Sequence, residues 1–255
     1  DAIIHLAGKA HDLKKVSQPQ DYYDANFELT KQLYDAFLKS EAQKFIFISS
    51  VKAVADSVEG ILTEDQIPNP QTHYGKSKLM AEEYIQAQPL PEGKTYYILR
   101  PCMIHGPGNK GNLNLLYQFV KKGIPYPLAA FENKRSFLSV ENLCFVIKEI
   151  LKRADITSGV YQLADDESLS TNDLVKEIAV NLGLKPKLWA IPAPLVKAIA
   201  KVGDKIKLPL NTERLNKLTE NYLVSNEKIK KALSKELPMS ARSGLEKTIR
   251  SFKQL

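Results

Sequence analysis

Residues 45–50 read Phe45-Ile46-Phe47-Ile48-Ser49-Ser50, and residues 74–78 read Tyr74-Gly75-Lys76-Ser77-Lys78. The first stretch is an unbroken aromatic and β-branched run ending in two hydroxyls, which reads as a buried strand delivering polar groups at its C-terminal end, where open parallel sheets place their ligands. The second sets a phenol and an amine four residues apart, on one face of a helix. Outward from these two stretches, short apolar runs alternate with longer amphipathic ones. Strands are predicted over Ala2 to Ala7, Phe45 to Ser49 and Tyr96 to Arg100, with helices over about Asp21 to Leu38 and Tyr74 to Gln88. That order is the pattern of βαβ units around a parallel sheet. Pro101 ends the third strand, and His105-Gly106-Pro107-Gly108 is expected to be a loop.

The second half reads as mostly helical, over Leu113 to Lys122, Val140 to Lys152, Thr171 to Asn181, Pro194 to Val202, Glu227 to Leu233 and Ala241 to Phe252. Short strands are expected at Phe137 to Val140 and Val160 to Ala164. No internal repeat or low-complexity linker separates the halves, so the second is read as a smaller lobe packed on the first.

Chemically, a nearby ammonium stabilises a phenolate, and bringing a tyrosine from ~10 towards 7 takes about 4 kcal/mol. The spacing alone proves little, because 11 tyrosines and some thirty lysines in 255 residues give about one chance match, and Tyr117 with Lys121 is a second one. The surroundings separate the two. Ser50 ends the strand before Tyr74 and is placed to hydrogen-bond the reacting oxygen while the phenol moves its proton. Tyr117 has no such neighbour and reads as a packing residue. On this basis Tyr74, Lys78 and Ser50 form the candidate catalytic group, with an ordinary strand-end cap as the lesser reading of Ser50 alone.

Composition narrows the classes. No apolar run approaches the ~20 residues of a membrane span, since Leu188 to Ala200 is cut by Pro192, Pro194 and Lys197. The net charge of +7 comes mostly from lysines scattered along the chain rather than clustered with aromatics, which suits an anionic small molecule better than nucleic acid. Cys102 and Cys144 show no metal-ligand spacing and sit in apolar surroundings, so they are expected as buried free thiols of a cytoplasmic protein. His5, His11, His73 and His105 have no ligand spacing and are expected in core or surface roles, with no metal site.

The sequence resembles the extended short-chain dehydrogenases/reductases, most closely the UDP-galactose 4-epimerase type. Asn69-Pro70-Gln71-Thr72-His73-Tyr74-Gly75-Lys76-Ser77-Lys78-Leu79-Met80-Ala81-Glu82 is similar to that family's tyrosine helix. Ile4-His5-Leu6-Ala7-Gly8 resembles the strand end that runs under the nicotinamide half of the cofactor, and Tyr22-Tyr23-Asp24-Ala25-Asn26 the segment whose asparagine holds that region. Leu99-Arg100-Pro101 with Gly106-Pro107-Gly108 is similar to the strand and loop that close over cofactor and substrate.

The resemblance implies a Rossmann-like α/β sheet over 1–108 and 134–166, and a mostly helical substrate lobe over 109–133 and 167–255. It implies NAD, with NADP as the alternative, held by Leu6, Ala7, Gly8, Asn26, Ser49, Tyr74, Lys78 and Pro101. A UDP-sugar would contact Ser50, Asn112, Leu113, Arg135, Arg214 and Tyr222. Tyr74 would take the proton of the sugar 4-hydroxyl as hydride leaves C4, Lys78 would keep the phenol acidic and bind the nicotinamide ribose, and Ser50 would share the sugar oxygen. In an epimerase the 4-keto sugar rotates and takes the hydride back on its other face; a 4-ketoreductase runs half of this cycle. Related dehydratases carry an acidic pair after the serine, where this chain has Val51-Lys52, so dehydration is not expected.

Gly111-Asn112-Leu113 opens a helix whose start suits a diphosphate, with a plain Asn cap as the other explanation. Arg135 matches the family's phosphate clamp, Arg214 a second one, and Tyr222 the gate beside the sugar's 2-position, where bulk disfavours an N-acetyl group. A homodimer through helices near 21–38 and 74–88 is implied as well.

Family members begin with a strand, a GxxGxxG turn and a helix, and no such motif occurs in these residues. The first strand read here matches the family's fourth, which would place roughly sixty residues of the fold outside this sequence. On that view the 255 residues alone bind NAD weakly and expose the sheet edge at Ala2 to Ala7. The alternative is a non-catalytic relative that binds a nucleotide sugar or a protein.

Overall fold

The computed structural model describes residues 1–10, 18–109, 111–206 and 211–253. Its elements are β1 (Ala2–His5), α1 (Pro19–Tyr23), a π turn (Asp24–Glu28), α2 (Leu29–Lys39), β2 (Lys44–Ile48), β3 (Ile61–Leu62), α3 (His73–Ala87), β4 (Thr95–Pro101), β5 (Met103–His105) and α4 (Asn112–Lys121). Then follow β6 (Phe137–Ser139), α5 (Val140–Lys152), β7 (Gly159–Leu163), α6 (Thr171–Asn181), α7 (Ala193–Ile206), α8 (Thr212–Thr219), β8 (Leu223–Val224), α9 (Glu227–Leu233) and α10 (Ala241–Ser251).

The main sheet runs β1-β2-β4-β7, with every pair parallel. Alternation along β2 sends Phe45 and Phe47 to one face, where they meet Tyr34, Phe37, Ala81 and Ile85 of α2 and α3. Ile46 joins the other face, with Val146 and Ile150 of α5 and Ile229 and Leu233 of α9. Burial on both faces is why β2 is apolar from Phe45 to Ile48. A third cluster joins Leu113 and Tyr117 of α4, Leu174 and Ile178 of α6, Val196 and Ala200 of α7, Leu215 of α8 and Leu245 and Ile249 of α10. Tyr117 packs there against Phe252, ring centroids 5.1 Å apart. No helix among the described residues is long and apolar enough to cross a membrane.

The parallel α/β core and the mostly helical second half match expectation. Several local features differ. β1 stops at His5, leaving Leu6 to Gly8 in the loop beyond it. His105 ends β5 rather than lying in a loop, and its buried ring meets Thr248 Oγ1 at 3.0 Å, because β5 pairs in parallel with β6. The two-residue strands β3 and β8, which pair with each other, and the polar helix α8 were not foreseen. Cys144 is exposed, since Leu143, Val146 and Ile150 define the buried stripe of α5 and residue 144 lies off it. Cys102 is buried and burial raises its thiol pKa.

Candidate active site

Ser50 leaves β2 in extended conformation and caps the short turn Val51–Ala53, its Oγ accepting from Lys52 N at 3.2 Å. Ser50 and the Tyr74 phenol line the same cleft, and Ser50 acts on the phenol by lowering its pKa. Ser50 is therefore a cap and a neighbour of Tyr74 at once. α3 begins one residue before Tyr74, with Thr72 Oγ1 accepting from Gly75 N at 3.2 Å. Gly75 sets how close the helix comes to the Ser50 turn: a Cβ there would lie 2.8 Å from Pro70 Cβ and inside contact distance of the Lys52 carbonyl oxygen. Gly75→Ala is expected to push Tyr74 away from Ser50, with about 1–3 kcal/mol of overpacking set against at most ~1 kcal/mol of gained helix propensity. Thermal unfolding together with turnover checks this; unchanged activity would show that the close approach does not matter.

One turn along α3, Lys78 Nζ donates to the Ile48 carbonyl at 2.9 Å and lies 4.7 Å above the Phe47 ring. Burial lowers its pKa to about 8, opposed by Glu82. Because 10.5 is its ordinary value, the folded protein releases this proton first, and between about pH 8 and 10.5 the unfolded chain binds more protons. Stability relative to Lys78→Met should therefore rise with pH across that window, by on the order of 3 kcal/mol in total. Urea titrations of both proteins from pH 7.5 upward measure it, and a flat difference would contradict a buried, depressed ammonium. The phenol of Tyr74 departs from expectation. Burial raises its pKa and Ser50 pulls it back, so desolvation outweighs the lowering anticipated from Lys78.

Behind the rim, Ser49 Oγ donates to Glu82 Oε1, and Arg100 Nε reaches both Glu82 oxygens at 3.0 Å. These groups are buried beneath α3 and tie it to the ends of β2 and β4. The hydroxyl of Ser49 is thereby committed to the interior. The loop after β1 is fixed differently. Asn26, buried in the π turn, accepts from Lys9 N at 2.7 Å and donates to Lys9 O and Ser77 Oγ, each at 3.0 Å. A Cβ on Gly8 would stand 2.9 Å from Asn26 Oδ1 and 3.0 Å from Lys78 Nζ, so bare backbone runs beside the amine.

A cleft of about 570 Å³ gathers Leu6, Gly8, Ser50, Tyr74, Lys78 and Pro101 at one end and Asn112, Leu113, Arg135 and Tyr222 at the other. Its charged lining residues, Lys52, Lys78 and Arg135, are all cationic. Gly111, not Asn112, caps α4, which removes the plain Asn cap as an explanation for Asn112. Arg135 Nη2 donates to Lys217 O at 2.7 Å and pairs with Glu220 at 2.9 Å, so the guanidinium is held at the C-terminal end of α8. Tyr222 is pinned by its hydroxyl to the Ala55 carbonyl at 2.7 Å. Arg214 lies exposed on the first turn of α8 and is not among the residues lining the cleft.

Residues 1–164 match the profile of the NAD dependent epimerase/dehydratase family. The chain belongs to that family. UDP-glucose 4-epimerase of Vibrio cholerae is 31% identical over 263 residues, 99% of this chain and 76% of that protein. N-acetyl-alpha-D-glucosaminyl-diphospho-ditrans,octacis-undecaprenol 4-epimerase of Escherichia coli O157:H7 is 31% identical over 234 residues, 91% of this chain and 67% of the relative. Among solved structures, UDP-glucuronic acid 4-epimerase from Bacillus cereus in complex with NAD shares the fold, with a TM-score of 0.75 at 20% identity over 100% of this chain and 74% of that one.

Within this epimerase/dehydratase-family chain, the sequence pointed to no role for Lys52. Its ammonium lines the cleft 4.0 Å from the Tyr222 ring centroid and donates to Asp56 O at 2.8 Å. Burial lowers its pKa. Of the described histidines, His105 lines the cleft, whereas His5 and His73 do not. His5 is buried on Thr30 Oγ1 at 2.9 Å with its pKa lowered to about 4 by burial and by Lys78, His73 meets Tyr23 at the surface, and His11 lies outside the described residues. No cluster of metal-ligating side chains occurs among the described residues.

Proposed function

We propose that this family member is an NAD-dependent nucleotide-sugar 4-epimerase with a UDP-hexose as substrate. The observation that carries the reading is that Ser50, Tyr74 and Lys78 converge in one cleft at the rim of a parallel sheet. The residues at the β1 end fit the nicotinamide-ribose half of NAD: Leu6 and Gly8 line the cleft with Ser50 and Tyr74, and the missing Cβ at Gly8 lets this loop approach the Lys78 amine. Bound NAD supplies the hydride acceptor and donor and, when oxidised, a positive charge that favours the phenolate.

Tyr74 Oη takes the proton of the sugar 4-hydroxyl and later returns it, so the tyrosine ends the cycle as it began. Ser50 Oγ holds the same sugar oxygen in line. The Lys78 ammonium, fixed on the Ile48 carbonyl, orients the cofactor ribose. At the far end, the start of α4 at Asn112 and Leu113 and the guanidinium of Arg135 face the diphosphate, while the anchored Tyr222 bounds the sugar. Arg214, outside the lining of the cleft, has no place in this scheme. The same reading includes a cytoplasmic homodimer through helices near 21–38 and 74–88, which light scattering on the purified protein tests.

Incubating the protein with NAD and UDP-glucose, then with UDP-galactose, should interconvert the two on chromatography without net change in NADH absorbance. Accumulation of one NADH per 4-keto sugar released would assign a 4-ketoreductase running in reverse instead, and no product from any UDP-hexose would remove the proposal.

A further inference from the structure

α7 carries two apolar faces. Val196, Ala200 and Gly203 point inward, the first two into the core of the helical lobe. Leu195, Ile199 and Val202 form a second ridge with the same spacing, and they stand 54%, 44% and 53% exposed. Isolated exposed aliphatics are ordinary on a protein surface, but three in helical register on a helix already packed through another face make a continuous apolar ridge. On the flank away from the core lie Lys197, Lys201 and Lys205, all exposed. The one acid of this stretch, Asp204, is engaged by Thr212 through its backbone N at 2.9 Å and its hydroxyl at 2.6 Å. Trp189, 59% exposed, lies in the segment leading into the helix.

We propose that α7 docks this protein on an anionic lipid bilayer, lying flat with Leu195, Ile199 and Val202 in the acyl boundary and its lysines among the headgroups. The charge pattern selects this occupant. Protein interfaces are depleted in lysine and favour arginine, whereas lysines beside an apolar stripe bury their stems and present their ammoniums to phosphates. A second copy would bring like-charged flanks together. The 14 residues of α7 extend about 21 Å, too short to span a bilayer but sufficient for an interfacial helix. α7 packs on α8, whose C-terminal end holds Arg135 in the cleft, so the docking face lies one helix away from the substrate pocket. This inference is independent of the sugar assignment.

The single tryptophan provides the readout. Vesicles of equal parts phosphatidylglycerol and phosphatidylcholine should sediment the purified protein and blue-shift Trp189, with quenching by brominated lipid; pure phosphatidylcholine should do neither. Ile199→Asp with Val202→Asp, and separately Lys197→Glu with Lys201→Glu, should each weaken vesicle binding by roughly tenfold or more while leaving the urea midpoint unchanged. Absence of binding to the anionic vesicles overturns the proposal. So does binding untouched by both variants, which would put the contact elsewhere, and so does a dimer in ultracentrifugation that the aspartate variant dissociates, which would assign the ridge to a second copy.

Discussion

Tyr74→Phe should lower kcat by about 10³-fold, within the 10²–10⁴ range that a positioned general acid–base contributes, or roughly 4 kcal/mol of transition-state stabilisation. The expectation rests on what the substitution leaves in place. The ring stays in a partly buried site at the start of α3, Thr72 still caps the helix, and Gly75 still permits its approach to the Ser50 turn. The hydroxyl, in the cleft with Ser50, is the group removed. Stability should therefore change by less than ~1 kcal/mol and UDP-sugar affinity by a few-fold at most. Turnover combined with calorimetric substrate binding separates the outcomes. A variant that binds and turns over normally would mean that another group moves the proton, whereas one that fails to bind would give Tyr74 a positioning role.

The largest stability effect is expected at Glu82. Its carboxylate is fully buried and receives the Arg100 guanidinium and the Ser49 hydroxyl, while Arg100 itself is 4% exposed. Glu82→Ala strands a buried cation and leaves the hydroxyl unpaired, which should cost about 3–5 kcal/mol. The double change Glu82→Leu with Arg100→Met should recover most of that loss, because a buried ion pair is offset by the desolvation of its members and an apolar pair of similar volume avoids both terms. Urea midpoints measure this; a double variant as unstable as the single one would show that the pair stabilises the fold outright. Activity should remain low even where stability returns. Ser49 adjoins Ser50 and Glu82 lies one turn after Lys78, so the pair also positions the two ends of the catalytic group.

What the sequence disclosed, and what it did not, follows from how local each signal is. The run Phe45 to Ile48 announces a strand covered on both faces, and Tyr74 with Lys78 announces a shared helical face, because both patterns repeat over a few residues. Glu82 and Arg100 stood in quoted segments without an assigned role, since nothing local says that a carboxylate on α3 and a guanidinium on β4 will meet. The depressed ammonium of Lys78 and the raised phenol of Tyr74 come from desolvation, which depends on the whole packed site. Asn26 was legible as a motif member, but its grip on Lys9 and Ser77 depends on a π turn that no propensity encodes. Strands of two residues, β3 and β8, carry too little pattern to be read at all.

The central claim is that hydride leaves and returns to the same sugar carbon while Tyr74 carries the proton. UDP-glucose deuterated at C4, incubated with the protein and NAD, should yield UDP-galactose that keeps the deuterium at C4, with none exchanged from solvent; product that has lost the label, or inversion at a different carbon, would contradict the account.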